Sequence, residues 1–332
     1  MNILVTGGAG YIGSHMVKML LDQGHQVTVV DDLSNGYRDA VLGGKFVQAD
    51  ICDPAILEEL FTSTRFNAVM HFAAYIEVGE SVQHPEKYYA NNAAKTMCLL
   101  EAMARHGVPN FVFSSTAAVY GEPETTPILE THPRRPINPY GNSKYMVEQV
   151  LEEMSRVNKL RYVSLRYFNA AGAHPEGILG ERHHPESHLI PLVLQAASGR
   201  RESISVYGKD YDTPDGTAVR DYIHIMDLCN AHLLALLHLQ GRGKSSVYNL
   251  GNGNGFSVHE VIQAVKRVTG RDFRVIDAPR RPGDSAVLVA DSTKARRELG
   301  WQPQYSDLDT IIQHAWAWEQ KMAKHQLQKT GS

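Results

Sequence analysis

In NPYGNSKYMVEQ, residues 138 to 149, a tyrosine and a lysine stand one helical turn apart: Tyr140 and Lys144. Asn138 suits an N-cap and Pro139 the first helical position, so the spacing predicts a helix with both side chains on one face of its first turns. A phenol beside an ammonium can move protons. Free tyrosine ionises near pH ~10 and an adjacent cation favours the phenolate, so Lys144 is expected to draw Tyr140 down toward working pH. Such a tyrosine can take a proton from a substrate hydroxyl while a nicotinamide takes the hydride. Tyr-x-x-x-Lys recurs by chance in many chains, and it is the glycine-rich segment upstream that gives this one meaning.

Residues 2 to 14 read NILVTGGAGYIGS: an apolar run from Ile3 to Val5, then Gly7, Gly10 and Gly13, then an apolar stripe through Met16, Val17 and Leu20. Strand, tight turn and helix N-terminus in that order let backbone amides and the helix dipole hold a pyrophosphate. A second apolar run, Gln26 to Val30, ends at Asp31, placed to bond the adenosine ribose hydroxyls and to repel a 2′-phosphate. Asp32 adds to that negative field, and the expected cofactor is NAD rather than NADP. Further strands are expected at Lys45 to Gln48, Ala68 to Phe72, Phe111 to Phe113 and Arg161 to Leu165, alternating with helices. That alternation predicts an α/β fold, a doubly wound parallel (Rossmann) sheet with its ligands outside the carboxyl ends of the strands. Asp50, Phe72, Ala73, Ala74 and Thr116 fall at such ends and are expected to face the cofactor, whereas His71, within VMHFAA, reads as a core residue. The Gly/Pro/His-rich stretch leading to Ser187 marks a boundary. Residues 1–170 are expected to form the NAD-binding domain and 171–325 a smaller mixed α/β substrate domain, some of whose helices return to the first.

The chain has 33 Lys and Arg against 36 Asp and Glu, a formal charge of -3 that leaves no basic surplus for nucleic acid or an anionic membrane. The longest apolar helix, around Ala231 to Leu239, is too short to span a bilayer, and the first strand begins at once, leaving no room for a signal peptide. Cys52, Cys98 and Cys229 show neither metal spacing nor a disulfide framework, which suits a reducing compartment, and a cytoplasmic enzyme is expected. His183 and His184 are adjacent and so point apart, with no cysteine or carboxylate cluster apparent beside them; no metal is expected. Apolar stripes on Tyr89 to Ala104 (Met97, Leu100, Met103) and Tyr145 to Met154 (Val147, Val150, Met154) fit either core burial or a paired-helix interface in a homodimer. The polar tail Lys321 to Ser332 is expected to fray.

Beyond Ser187 the arginines Arg220, in TAVRDYIH, and Arg280 and Arg281, in APRRPGD, have the fork geometry that suits a diphosphate. Seven segments together carry a family resemblance: VTGGAGYIGSH (5–15), HFAAYIEVGESV (71–82), FSSTAAVYGE (113–122), NPYGNSK (138–144), LRYFNAAGAHP (165–175), GTAVRDYIHIMDL (216–228) and APRRPGD (278–284). Over nearly its whole length the chain resembles the UDP-glucose 4-epimerases of the extended short-chain dehydrogenase/reductase superfamily. The resemblance implies that Tyr140 is the base, Lys144 its electrostatic partner and a binder of the nicotinamide ribose, and Thr116 the hydroxyl that bonds the reacting O4. It implies that Tyr11, Ile12, Asp31, Asp50, Ile51, Phe72, Asn91 and Phe168 surround NAD. Asn169, Leu189, Tyr207, Arg220, Arg281 and Asp284 would surround the UDP-sugar. Thr116 stands where serine is common, Ile76 replaces a lysine near the pyrophosphate, and His188 replaces an asparagine at the diphosphate. Leu288, in GDSAVLVADS, falls near the sugar's C2 substituent, where members with residues smaller than tyrosine also accept N-acetylhexosamines.

The implied reaction is a transient oxidation at C4 that inverts the sugar and returns the hydride, with NAD retained and no net redox change. A sugar-nucleotide dehydratase or decarboxylase would begin with the same oxidation but needs a further acid shortly after the Ser-Thr, where this chain has Ala117 and Ala118. A non-catalytic NAD-sensing protein on the same fold would have no need of Tyr140, Lys144 and Thr116 together.

Overall fold

A computed structural model describes residues 1–281 and 284–330, the last six of these by their backbone alone. Seven parallel strands form the central sheet, in the spatial order Ser246–Leu250, Arg161–Tyr167, Asn110–Ser114, Ala68–His71, Asn2–Thr6, Gln26–Asp31, Lys45–Gln48. Near-continuous apolar runs such as Ile3–Leu4–Val5 suit strands covered on both faces, and Thr6 is in register with Val30 on one side and His71 on the other. The chain order reverses at this first strand, so the crevice above its carboxyl end is the place where an open α/β sheet binds ligands.

Successive strand residues point to opposite faces and nucleate opposite halves of the core. Ile3 and Val5 pack with Met16, Val17, Leu228 and Leu236, while Leu4 and Val30 pack with Leu99, Met103, Phe111, Val147 and Leu151. Leu100, Met103 and Val147 are therefore core residues rather than free interface, with Met97, Val150 and Met154 half-buried at its edge. A further core gathers Ile190, Val193, Ile204, Val261, Ile262, Ile311 and Ile312. It surrounds the helices Leu189–Ser198, Val258–Thr269 and Leu308–Thr330 and the parallel pair Ser203–Tyr207 with Arg274–Ala278. The helix Ile225–Gln240 leaves that region and packs on the helix Tyr11–Asp22, delivering the seventh strand to the sheet edge.

Several sequence expectations change. The seventh strand, SVYNL, had no counterpart in the reading. The helix expected over 89–104 opens as a π-helical turn, Tyr89–Ala94, before regular helix from Lys95 to Arg105. The widened turn, typical of functional sites, lets Asn92 Oδ1 accept from the Tyr75 amide (2.8 Å) while its Nδ2 donates to the Tyr75 carbonyl (2.9 Å). The tail expected to fray continues the last helix to Thr330, and residues 331–332 lie outside the described residues. Cys52 and Cys98, read as unpaired thiols, form a disulfide with Cα atoms 5.3 Å apart, while Cys229 is free and buried. Among the described residues no helix is long and apolar enough to cross a membrane.

Candidate functional site

A cleft of ≈ 1150 Å³ opens above the carboxyl ends of the strands. It exceeds the ~300–1,000 Å³ of a pocket for one drug-sized ligand and so has room for a dinucleotide beside a second molecule. At its floor Asn138 Oδ1 accepts the Gly141 amide (2.8 Å), starting the helix Pro139–Arg156 so that Tyr140 and Lys144 both face the cleft. Gly141 is required there: a Cβ would come 2.5 Å from the Ala118 carbonyl oxygen, prising the helix from the loop that carries Thr116. Thr116 caps the short turn Ala117–Val119, its Oγ1 accepting the Ala118 amide (3.1 Å).

Lys144 is buried; its Nζ donates to the Ser114 carbonyl (2.9 Å) and lies 4.9 Å from the centroid of the Phe113 ring. Burial pushes its ammonium down to about 7, against the opposing charge of Glu148 one turn on. The expectation that Lys144 depresses Tyr140 is not met. Burial holds the phenol above its ordinary value, Glu77 raises it further, and the group that pulls it down is the Thr116 hydroxyl. Behind the pair, Glu148 is wholly buried with Arg166: Nε to Oε1 2.9 Å and Nη2 to Oε2 2.5 Å, with Ser115 Oγ donating to Oε1 at 2.6 Å.

The other wall is the glycine turn. A Cβ on Gly13 would sit 2.1 Å from the Gly7 oxygen, whereas one on Gly10 would meet nothing nearer than that oxygen at 3.4 Å, so backbone approaches the cleft where a side chain would stand. The helix Tyr11–Asp22 has no side-chain N-cap, and its first amides are left for a ligand. These features fit a dinucleotide pyrophosphate. Asp31 Oδ2 accepts the Ala9 amide (2.9 Å) and Oδ1 the Leu33 amide (2.8 Å), while burial raises its carboxyl above the usual range. Asp32 lies beside it and caps Ser34 (2.8 Å). Asp50, next to Ile51, holds Lys95 at 2.6 Å, and that contact outweighs its partial burial and lowers its carboxyl. Gly7, Ile12, Phe72, Ala73, Ala74, Asn91 and Phe168 complete this wall. His71 takes no part: its ring is buried between Thr6 Oγ1 (2.6 Å) and Thr96 Oγ1 (2.9 Å) and is held neutral.

On the far side the cleft meets Asn169, His188, Arg220, Arg281, Asp284 and Leu288. Arg220 Nη1 donates to the carbonyls of Val219 and Ser285, both at 2.9 Å, and Nη2 is 3.7 Å from Asp284 Oδ1. Arg281 lies over the Tyr207 ring (3.9 Å), whereas Arg280 pairs with Asp210 (2.6 Å). Leu189 and Tyr207 are not among the residues that line the cleft. Leu288 both lines the cleft and packs against Val119, Tyr120 and Ile128. Ile76 also faces the cleft.

Three features of this site go beyond what the sequence leads one to expect. Glu77, whose Oε1 accepts from Ser187 Oγ (2.9 Å), is the carboxylate that acts on Tyr140, and no motif announces it. The segment Leu33 to Tyr37 lines the cleft beside Asp31. His183 does not work with His184 but converges with His188, Glu181 and Glu186; the carboxylates thought absent come from the same loop.

The model of the NAD dependent epimerase/dehydratase family matches residues 3–251. The UDP-glucose 4-epimerase of Halalkalibacterium halodurans is 52% identical over 321 residues, covering 97% of this chain and 96% of its own. Among solved structures, UDP-glucose 4-epimerase from Brucella ovis in complex with NAD superposes with a TM-score of 0.93 at 49% identity, over 95% of this chain and 97% of that one. The UDP-Glc/GlcNAc 4-epimerase of Campylobacter jejuni gives 0.85 at 47% identity, over 96% and 99%.

Proposed function

Because the chain belongs to the NAD dependent epimerase/dehydratase family, we propose that it is an NAD-dependent UDP-sugar 4-epimerase interconverting UDP-glucose and UDP-galactose. The observation that carries this is the convergence of Tyr140, Thr116 and Lys144 on one cleft with the glycine turn. Gly7, Gly10 and Gly13, the amides of Tyr11 and Ile12, Asp31, Asp50, Ile51 and Lys144 would hold the cofactor. Bound NAD supplies a hydride acceptor that gives the hydride back, so C4 inverts without net oxidation. As the phenolate, which the positive nicotinamide of bound NAD would favour over the neutral phenol that burial holds, Tyr140 would take the proton from the C4 hydroxyl and later return it, and the Thr116 hydroxyl beside it would bond the same oxygen. Arg220 and Arg281 anchor the diphosphate, leaving the sugar free to present both faces of C4 in turn. The test is to incubate the purified protein, with no added nucleotide cofactor, with UDP-galactose and follow the sugar by NMR. UDP-glucose is expected; unchanged substrate in a protein shown to contain NAD would overturn the reading.

A wider substrate range is supported by Leu288, a leucine on the cleft surface where a larger side chain would narrow it. We propose that the UDP-N-acetylhexosamine pair is also accepted, as the Campylobacter jejuni relative's name describes for that enzyme. A homodimer is proposed through the helix Pro139–Arg156, on which Met146 is exposed by 45%, and Val157 just past its end, exposed by 63%; light scattering at the mass of one chain would contradict it. Residence in the cytoplasm is proposed on the lack of a spanning helix among the described residues, and cell fractionation tests it.

A further inference from the structure

The loop from Glu181 to His188 lines part of the cleft, and the ligand-capable atoms of four of its side chains gather together. We propose that Glu181, His183, Glu186 and His188 form a zinc site, a closed four-coordinate centre that fixes this loop as part of the cleft wall. The spacing Glu-x-His-x-x-Glu-x-His matches no common metal signature, so the case rests on where the atoms lie.

His188 Nδ1 is 2.9 Å from Glu181 Oε1 and 3.3 Å from Glu186 Oε1. His183 Nδ1 is 3.3 Å from Glu181 Oε1 and 3.6 Å from Glu186 Oε2. One ligand-capable atom from each residue lies within 4.8 Å of all the others. Zinc bound by imidazole and carboxylate at ~2.0–2.1 Å in a tetrahedron separates neighbouring ligand atoms by roughly 3.3–3.4 Å. The observed His-to-Glu separations bracket that edge, and with all four ligand atoms within 4.8 Å of one another the side chains have about an ångström or less to draw in around a zinc ion.

Two further observations favour an ion at the centre. The carboxylates of Glu181 and Glu186 are both more than nine-tenths buried, with side-chain exposures of 7%. His183 Nδ1 is itself buried and, although close to both, has no aligned hydrogen bond to either. A ring nitrogen lying between two carboxylates, aligned with neither, is placed where a shared cation would replace its proton. The donor set selects the ion: half nitrogen and half oxygen in a small cage suits zinc, whereas magnesium and calcium call for six or more oxygens.

The loop's other contacts say what such a centre does. Arg182 lies 3.5 Å from the centroid of the Tyr37 ring and pairs with Asp39 on the cofactor side. Ser187 reaches Glu77 at the floor. His183 stands edge-on to Tyr11 of the glycine turn, with centroids 6.4 Å apart. A zinc ion holding both ends of the loop to one another sets all three contacts at once. With four protein ligands it leaves no open position, so its part is structural and not hydrolytic. The competitor is a quartet of ion pairs with protons in place of metal, since zinc binding must displace those protons.

The experiment uses the full chain with its bound nucleotide. It is stripped with a chelator, titrated with zinc chloride in metal-free buffer, and measured by elemental mass spectrometry and thermal melting. One zinc per chain and a rise in melting temperature that saturates at one equivalent are expected. Zinc-edge X-ray absorption should show a first shell of N and O at ~2.0–2.1 Å with no sulfur. His183→Ala and Glu186→Gln should each weaken zinc by more than the ~10–100-fold lost on removing even an outer-shell partner, while His184→Ala, on the exposed neighbour, binds as the parent does. No retained zinc and no zinc-dependent melting shift in the unmutated protein would leave only an ion-paired cluster and overturn the proposal, whatever the variants do. Undiminished zinc in both ligand variants, or sulfur in the first shell, would place the ion elsewhere and overturn it equally. None of these readouts requires epimerase turnover.

Discussion

Lys144 should make the protein less stable than it would be without its charge. Its ammonium falls from an ordinary 10.5 to about 7 because burial outweighs the attraction of Glu148. The drop of 3.5, from 10.5 to 7, is worth about 5 kcal/mol at 1.36 kcal/mol per unit. Below pH 7 both the folded and unfolded chains carry the proton, and the folded one bears the whole cost. Between pH 7 and 10.5 the unfolded chain binds more protons than the folded one, so stability rises with pH by ~1.4 kcal/mol per unit; above that window the cost is gone. Lys144→Met removes the charge and leaves the Ser114 carbonyl without its donor, which returns ~1–3 kcal/mol. The variant is therefore expected to be more stable than the parent by roughly 2–4 kcal/mol at pH 6 and to lose about 2.7 kcal/mol of that advantage between pH 7 and 9. The assay is urea unfolding of both proteins freed of nucleotide, across pH 6 to 9.5. With a slope near ~3 kcal/mol/M the difference between midpoints should shrink by nearly 1 M. A variant less stable than the parent at pH 6, or a difference that does not change with pH, would refute the reasoning.

Tyr140→Phe should retain fold and bound NAD yet lose roughly a hundredfold or more in kcat, the share of a positioned acid–base group; parental kcat would exclude the tyrosine. Cofactor released from the purified protein should be NAD(H) by mass spectrometry, and Asp31→Asn should relax the bias against NADP, because each unit of 2′-phosphate charge near ~4 Å from a carboxylate costs up to ~4 kcal/mol at an effective dielectric of 20. Predominant NADP in the parent would refute this. Arg166→Met strands the buried Glu148 carboxylate and should destabilise by ~3–5 kcal/mol in thermal or urea melts, while Arg166→Met with Glu148→Leu should recover most of it; equal losses in both would deny the pair. Leu288→Tyr should slow UDP-N-acetylhexosamine turnover selectively in competition kinetics, and equal slowing of both pairs would show that this side chain is not the gate.

The strands and the glycine turn were legible because their signals are local: apolar runs, glycine spacing and a cap followed by proline. The same locality explains what was missed. SVYNL is five residues between a polar turn and a glycine, too short for periodicity to separate from loop, and only its pairing with Arg161–Tyr167 makes it a strand. Cys52 and Cys98 are 46 residues apart and meet because the strand-end loop after Asp50 packs against the helix Lys95–Arg105. The sequence placed Lys144 beside Tyr140 and inferred a cation at work on the phenol. It could not show that the ammonium is turned to the Ser114 carbonyl, nor that both groups are sunk deeply enough for burial to dominate each. Adjacency to His184 is the one relation of His183 visible in the chain, while its partners lie at positions 181, 186 and 188 and need a folded loop to assemble.

The buried Glu148–Arg166 pair takes its sense from Lys144. A lysine buried alone would be neutral at working pH, and one beside a bare buried carboxylate would be locked in its charged form. Glu148 stands one turn from Lys144, but both its oxygens are engaged by Arg166, and Oε1 also accepts from Ser115. Most of its charge is thereby spent on the guanidinium, and what reaches Lys144 offsets only part of the burial. The result is an ammonium near neutrality, able to hold or release a proton at little cost, which is the condition a group beside an acid–base tyrosine has to meet. Arg166 belongs to the strand Arg161–Tyr167 and Glu148 to the helix that starts at Pro139, so the same two bonds that set the lysine's charge also fix that helix against the sheet from which Thr116 emerges.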